Sequence, residues 1–280
     1  MFSGSFQVAG LSLLSAASWG AGDFSGGIAA KKADVFRIVA VAHAFGLLCM
    51  LLMAWLTHES VPPRNDLLWG AIAGLAGAFG IAALYKALAV GRMGIIAPVA
   101  GVITAALPVL VGIATLGLPP AIQLAGFALA LVSIWLVARP DGEIDTHRGL
   151  GLAIIAGVCF GLFLVSGKQA GAHTVFWPMV AARAASVIVM GTISLLFVSD
   201  GRPLRPAIVP ILLCGLLDSA GNALFIAATR HGRLDVAAVL SSLYPASTVI
   251  LARLVLKERM SKLQGLGIAG AMVAIALISA

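Results

Sequence analysis

Five polar residues stand where so apolar a chain has little use for them. Asp23, His43, Arg183, Asp218 and Asn222 each lie well inside an apolar run. An ionisable group taken out of water must be paired, neutralised or put to use, and inside a membrane such groups mark ligand or proton pathways by default. Asp23 and His43 flank one short turn, Lys31-Lys32-Ala33, at similar distances from it. If the helices on either side of the turn meet at these faces, the two form an Asp–His pair able to hold or release a proton. The plainer alternative is a hydrogen bond that ties two helices. Arg183 and Asn222, counted from opposite ends of their runs, come out at nearly the same depth, with Asp218 about one turn away. An unpaired arginine at the bilayer centre costs from about 3 to over 10 kcal/mol, so Asp218 is the expected partner. The pair either locks two helices or leaves the guanidinium to grip a carboxylate as a fork.

Aromatic and hydroxyl groups complete the set. Tyr85 and Tyr244 are the only tyrosines, and Tyr244 lies beside Ser241, Ser242 and Pro245. A proline within a span frees a backbone carbonyl, which a serine can satisfy or a ligand can use. The candidate cavity residues read from residue chemistry are His43, Tyr85, Arg183, Asn222, Ser241 and Tyr244, and the candidate proton or ion-pair residues are Asp23, His43, Arg183 and Asp218. Lys86 and Lys168 lie near run ends, where a long stem lets the ammonium reach the headgroups. Trp55, Trp69, Trp135 and Trp177 suit the aromatic belts at the membrane surfaces.

The elements that must position these groups follow from composition. The chain has 280 residues, 61% of them hydrophobic and 10% charged, against about 25% charged in soluble domains. A core of this size could not hide that much apolar surface from water. The chain is thus expected to be an all-α integral membrane protein. A span needs about 20 apolar residues, and ten runs qualify: Val8–Ala30, Asp34–Thr57, Leu67–Val90, Gly94–Gly117, Ala121–Ala138, Gly149–Gly171, Val175–Val198, Pro206–Thr229, Leu234–Leu256 and Lys262–Ala280. The connections are short, which predicts that consecutive helices pack as antiparallel neighbours. The net charge of +7 is scattered singly at run ends, with no basic stripe, so no nucleic-acid partner is expected. Cys49, Cys159 and Cys214 lie in separate apolar runs without metal-ligand spacing. No nucleophile elbow, HExxH or Cys/His cluster is present, and no catalytic residue, metal or cofactor is assigned.

The one long polar run, Arg139 to Arg148, sits at the midpoint and opens on a Pro-Asp-Gly turn signal. It divides the chain into 1–138, a linker at 139–148, and 149–280. The two parts repeat. Gln123 meets Gln264 at an offset of 141, and at the same offset Gly91-Arg92 meets Gly232-Arg233, Gly74-Leu75 meets Gly215-Leu216, Gly80 meets Gly221 and Gly20 meets Gly161. In the second span of each half the offset slips by one, so that Val35-Phe36 meets Val175-Phe176 and His43 meets Arg183. Five spans are an odd number, so the second half enters the membrane from the opposite side. Two like folds of opposite orientation form an inverted repeat, a recurring plan of secondary transporters with the substrate site between the halves.

Leu243-Tyr244-Pro245, Glu258-Arg259, Gln264 and Gly267-Ile-Ala-Gly270 resemble the last two spans of the drug/metabolite transporter superfamily, in its ten-helix EamA-like group. In the first half Gln123 and Gly126 repeat the end of the pattern, with Gly117 in place of the glutamate and Thr104 in place of the proline. Trp19-Gly20 and Phe160-Gly161 also suit that group. The resemblance implies eight helices around a central cavity, with the fifth and tenth spans outside as supports. It implies export or exchange of small metabolites without ATP, most plausibly amino acids, aromatic ones among them, from an inner or plasma membrane. It also implies that Trp19 and Phe160 face the cavity, which adds both to the candidate cavity residues. The expected partners are a small-molecule substrate and the lipid bilayer, and a monomer is allowed. Three alternatives stay open: a transporter of drugs or sugar phosphates, an intramembrane enzyme that turns Asp23 and His43 on lipid, and a scaffold that moves nothing. Orientation stays open too. Arg64, Lys168, Arg230 and Arg233 lie on the side of the termini, against Lys31, Lys32, Arg92, Arg139, Arg148, Arg202, Arg205, Lys257, Arg259 and Lys262 on the other, a count of 4 to 10. That favours termini outside, whereas the resemblance implies termini inside.

Overall fold

The computed structural model describes residues 2–30, 32–90, 93–137, 149–198, 203–256 and 261–279. Within these the chain is helical and carries no strand. In order the helices are α1 (Phe2–Ala30), α2 (Val35–Leu56), α3 (Arg64–Val90), α4 (Met93–Leu116), α5 (Ala121–Val137), α6 (Leu150–Ala170), α7 (Phe176–Phe197), α8 (Ile208–His231), α9 (Leu234–Ser241), α10 (Tyr244–Leu256) and α11 (Lys262–Ser279), with one short 3-10 turn at Arg205–Ala207. Among the described residues six stretches are long and apolar enough to cross a membrane on their own: Val35–Leu56, Arg64–Leu84, Val99–Leu116, Leu150–Ala170, Phe176–Phe197 and Arg205–His231. α1, α5, α11 and the α9–α10 pair complete a ten-span bundle. Large apolar side chains on its outside, such as Leu195 (87% exposed) and Phe197 (77%), face the hydrocarbon that a membrane supplies.

Local signals set the helix ends. Asp34 caps α2, its carboxylate accepting from the amides of Phe36 (2.9 Å) and Arg37 (3.2 Å). Gly117, at φ +80°, closes α4 in the left-handed conformation that glycine adopts without a Cβ clash. Ser261 and Gln264 form a reciprocal cap on α11: the Gln264 side chain accepts from the Ser261 amide (3.0 Å), and the Ser261 hydroxyl accepts from the Gln264 amide (3.1 Å). One of the residues that carry the family resemblance is thus a helix cap.

The ninth span is not continuous, as Leu234–Leu256 was expected to be. It breaks at Ser242-Leu243, and α10 restarts with Pro245 in its first turn, where a missing amide costs nothing. The matching α4, with Thr104 where the second half has Pro245, runs unbroken, and Thr104 bonds back to Ala100 O (2.8 Å).

Consecutive helices are not the main neighbours either. The strongest pairings cross between the halves: α1 with α8, α3 with α6, α2 with α7, α3 with α7, α2 with α8, α4 with α6, and α1 with α9 and α10. Exchanging the halves turns this set into itself. α1–α8 becomes α6–α3, α2–α8 becomes α7–α3, and α4–α6 becomes α9/α10–α1, while α2–α7 and α5–α11 map onto themselves. This is the signature of two inverted five-helix repeats, and α5 and α11 pair with one another away from α2, α3, α7 and α8. Glycines permit the closest crossings. A Cβ on Gly74 would overlap the Ala182 backbone of α7, and a Cβ on Gly215 would overlap the Ala42 backbone of α2. These are matched positions in the two halves.

The candidate transport cavity

A central cavity is lined by both halves. Its walls include Trp19 and Asp23 of α1, His43 of α2, Gly74, Gly77, Ala78, Ile81 and Leu84 of α3, Thr104 of α4, Phe160, Phe163 and Leu164 of α6, Ala182 and Arg183 of α7, Asp218 and Asn222 of α8, and Tyr244 of α10. It encloses about 80 Å³ open to the centre of a water-sized sphere. One water needs about 10–15 Å³ in that measure, so the space suits a handful of waters or one small solute.

The polar groups form a connected cluster. Arg183 Nη2 donates to Asp218 Oδ2 at 2.5 Å. His43 Nε2 stands 3.5 Å from the same oxygen, and His43 Nδ1 lies 2.5 Å from Ser186 Oγ. A neutral imidazole with its proton on Nε2 satisfies both sides, the Ser186 hydroxyl donating to Nδ1. His43 and Arg183 are buried, and the Asp218 side chain keeps 21% of its surface, turned to the cavity. Arg183 Nε is buried without a partner among the described residues. Nearby, Trp19 Nε1 donates to Asn222 Oδ1 at 2.7 Å. Trp19 also meets Tyr244 edge to face, ring centroids 6.5 Å apart, and packs on Phe225 at 5.9 Å and Phe163 at 6.3 Å.

The pairing of Asp23 with His43 expected from the turn between them is not formed. α1 barely touches α2 and packs instead on α8, while α2 packs on α7 and α8. His43 therefore points to Ser186 and Asp218, and no hydrogen bond reaches Asp23 among the described residues. Ser241 is also displaced from its expected place. It is fully buried, and its hydroxyl donates to Ser12 O at 3.3 Å, tying α9 to α1 behind the cavity wall. Lys168, half-buried near the end of α6, donates to Thr229 O at 2.7 Å. The Tyr85 side chain, the linker from Arg139 to Arg148 and Glu258-Arg259 lie outside the described residues. Trp19, Asp23, His43, Phe160, Arg183, Asp218, Asn222 and Tyr244 all line the one cavity. Ser186 escaped the sequence reading, although it is the match of Gly46 and lies one turn from Arg183.

The two ends of the bundle differ. At the end that carries the termini, α1, α2, α3, α6, α7, α8 and α9 share one apolar cluster, with Val8, Met50, Phe163, Met179, Phe225, Ile226 and Leu234. It plugs the space beyond the cavity. Three contacts between the halves cover the plug. Glu59, in the α2–α3 connection, accepts from the amides of Val175 (2.7 Å), Phe176 (2.8 Å) and Trp177 (3.1 Å), so that an acid from the first half caps α7 of the second. Its backbone carbonyl accepts from Trp177 Nε1 at 2.8 Å, which gives this tryptophan a role beyond the aromatic belt. Asp66 binds His173 Nδ1 at 2.9 Å. Arg233 Nη2 donates to Gly117 O at 3.1 Å while the guanidinium holds the buried Asp235 at 2.7 Å, which raises the pKa of Arg233. Toward the other end, the apolar contacts among the described residues divide into separate groups around Ile38 and Ile211, around Leu84 and Ala153, and around Val39 and Met190.

An inverted helical repeat with one shared, partly polar cavity at the bilayer midplane is the plan of a secondary transporter. The comparisons agree in kind. The EamA-like transporter family matches residues 8–139 and again 147–280. The chain belongs to that family and is a multi-pass membrane transporter of small molecules. A solved crystal structure of a protein 16% identical in sequence superimposes with a TM-score of 0.78 and covers 97% of each chain, so the fold is shared. No curated protein matches the sequence.

Proposed function

We propose that the chain exports or exchanges a small metabolite, an amino acid in first place and an aromatic one by preference, across an inner or plasma membrane by alternating access. The observation that carries this reading is the joint lining of one cavity by both halves, plugged at one end by a cluster that spans the halves. Rocking residues 1–138 against 149–280 about the cavity would break that plug and close the other end. The linker 139–148 would set the reach of the motion. Trp19, Tyr244 and Phe160 supply flat apolar faces for an aromatic side chain. The Arg183–Asp218–His43 cluster supplies a charge relay whose proton occupancy can couple to the motion.

Purified protein in liposomes tests the reading by counterflow of labelled phenylalanine, with and without a pH gradient. Exchange above that of empty liposomes is expected. Failure to move any amino acid under either condition removes the amino-acid assignment, and no movement of any solute removes transport itself. His43→Ala and Arg183→Ala should each depress the flux, and if neither does, the cavity is not the path.

A further inference from the structure

The charges of the cavity do not balance, and the imbalance points to what it holds. Its described lining contains two carboxylates, Asp23 and Asp218, one guanidinium, Arg183, and one imidazole, His43. Arg183 and Asp218 neutralise one another through a direct hydrogen-bonded pair. His43 is satisfied as a neutral ring between Ser186 and Asp218. Asp23 remains as an acid in the wall without a hydrogen bond among the described residues. It lies within electrostatic reach of Asp218 and of the Tyr244 hydroxyl, neither of which offers a positive charge. A lone acid in such a place holds a proton until a cation arrives to pair with its carboxylate.

Its surroundings select the kind of cation. Asp23 is four residues beyond Trp19 on α1, so both project from the same face of the helix. Tyr244 stands edge to face against that indole. A carboxylate beside two electron-rich rings binds an ammonium group, the acid by charge and the rings by their quadrupoles. The opposite wall, Gly77, Ile81, Phe160 and Leu164, is apolar and suits a hydrocarbon or aromatic body. The one positive side chain of the described lining, Arg183, is already charge-paired with Asp218, with only its buried Nε–H left unpartnered, so a substrate carboxylate would meet no unbalanced positive charge there.

We propose that Asp23, framed by Trp19 and Tyr244, is the binding site for the ammonium group of the substrate, and that the site takes organic amines whether or not they carry a carboxylate. This rests on the transport reading and widens it from amino acids to amines. The test uses the full chain in liposomes and three labelled solutes of one shape: 2-phenylethylamine, phenylalanine and 3-phenylpropionate. The amine and the amino acid should exchange and the carboxylate without an amine should not. Asp23→Asn should lower amine flux about tenfold or more, the loss expected for one charged hydrogen bond, with an unchanged unfolding midpoint, and Asp23→Glu should restore part of it. Equal flux of 3-phenylpropionate and 2-phenylethylamine overturns the proposal. So does an Asp23→Asn chain that loses only its response to a pH gradient and keeps its amine flux, because Asp23 would then carry a proton alone. If none of the three solutes moves, transport of this class fails separately, and binding decides: 2-phenylethylamine should protect the solubilised wild-type chain against heat and leave Asp23→Asn unprotected. Equal protection of both, or none of either, overturns the ammonium site.

Discussion

The two walls of the cavity are built from matched helices and have opposite chemistry. One wall is α1 on α8, the other α6 on α3, and exchanging the halves converts one pair into the other. Trp19 and Phe160 occupy equivalent places, and each ring sits over a glycine of the other half, Gly221 under Trp19 and Gly80 under Phe160. The scaffold is thus symmetric down to the aromatic seats. The charges are not. Where α8 has Asp218 and Asn222, α3 has Gly77 and Ile81, and where α1 has Asp23, α6 has Leu164. All six line the cavity. Between the walls, α2 offers His43 and α7 offers Arg183. Packing that must work in both orientations is retained in both copies, while recognition, which needs only one polar face per substrate, is concentrated in one wall.

Breaking the charged wall should have the largest effect. Arg183→Met strands Asp218 and Asp218→Asn strands Arg183, and losing one partner of a buried ion pair costs about 3–5 kcal/mol. Removing both charges by copying the first half, Arg183→His with Asp218→Gly, should cost less than either single change, despite the roughly 0.5–1 kcal/mol that a mid-helix glycine adds. Unfolding midpoints of the four chains check this, and a double variant worse than both singles would mean that the pair is not a closed unit. Flux should fall in all three.

The symmetric scaffold predicts paired failures. Gly74→Ala and Gly215→Ala each drive a Cβ into a backbone carbonyl of the facing helix, Ala182 O or Ala42 O. Overpacking of this kind costs about 1–3 kcal/mol. Gly151, whose added Cβ would meet nothing within 4 Å, should instead gain up to about 1 kcal/mol from the better helix former. Thermal unfolding in detergent would show two losses of similar size and one gain. A large loss at Gly74 and none at Gly215 would break the symmetry argument.

The scaffold was more legible in the sequence than the site. The offset of 141, read from Gln123 and Gln264 and from the Gly-Arg pairs, places Gly80 and Gly221 under their aromatic rings because repeats conserve the spacing of small and large residues. Arg183 with Asp218 was legible because a buried arginine has so few acceptable neighbours. Asp23 with His43 was misread because a short turn guarantees proximity only at the turn. Eight residues into each helix, the close glycine crossings between halves decide which faces meet, and no local pattern shows them. Ser241 was misread for a related reason: beside a helix break, a serine serves whichever backbone carbonyl comes nearest, here that of Ser12. Glu59 carried a signal, an acid in a short connection between apolar spans, but its partner is a helix terminus more than a hundred residues away.

Two smaller effects separate the walls from the ends. Trp19→Phe makes the two aromatic seats alike and removes the hydrogen bond to Asn222 together with part of the packing on Phe163 and Phe225, so it should cost about 1–3 kcal/mol and loosen the choice among substrates. Flux ratios across a panel of aromatic amines measure that, and an unchanged ratio would make Trp19 a packing residue, as its contacts with Phe163 and Phe225 allow.

The smallest expected stability change, and the one that bears on motion, is at Glu59. Its carboxylate accepts from three consecutive amides at the start of α7, where the backbone has unsatisfied donors and a partial positive charge. Glu59→Gln keeps one acceptor oxygen, enough for Phe176 and Trp177, but removes the charge and the bond from Val175, a loss of at least the roughly 0.3–1 kcal/mol of a charge at a helix end. If this contact holds the plugged end shut, the loss falls on the plugged state alone. The population of the alternative state then rises by the matching factor, about two- to fivefold or more. Hydrogen exchange should quicken at Val175, Phe176 and Trp177 and also at the Asp66–His173 contact, which opens with the same motion. Faster exchange confined to the first turn of α7 would show Glu59 to be a helix cap with no part in holding the halves together.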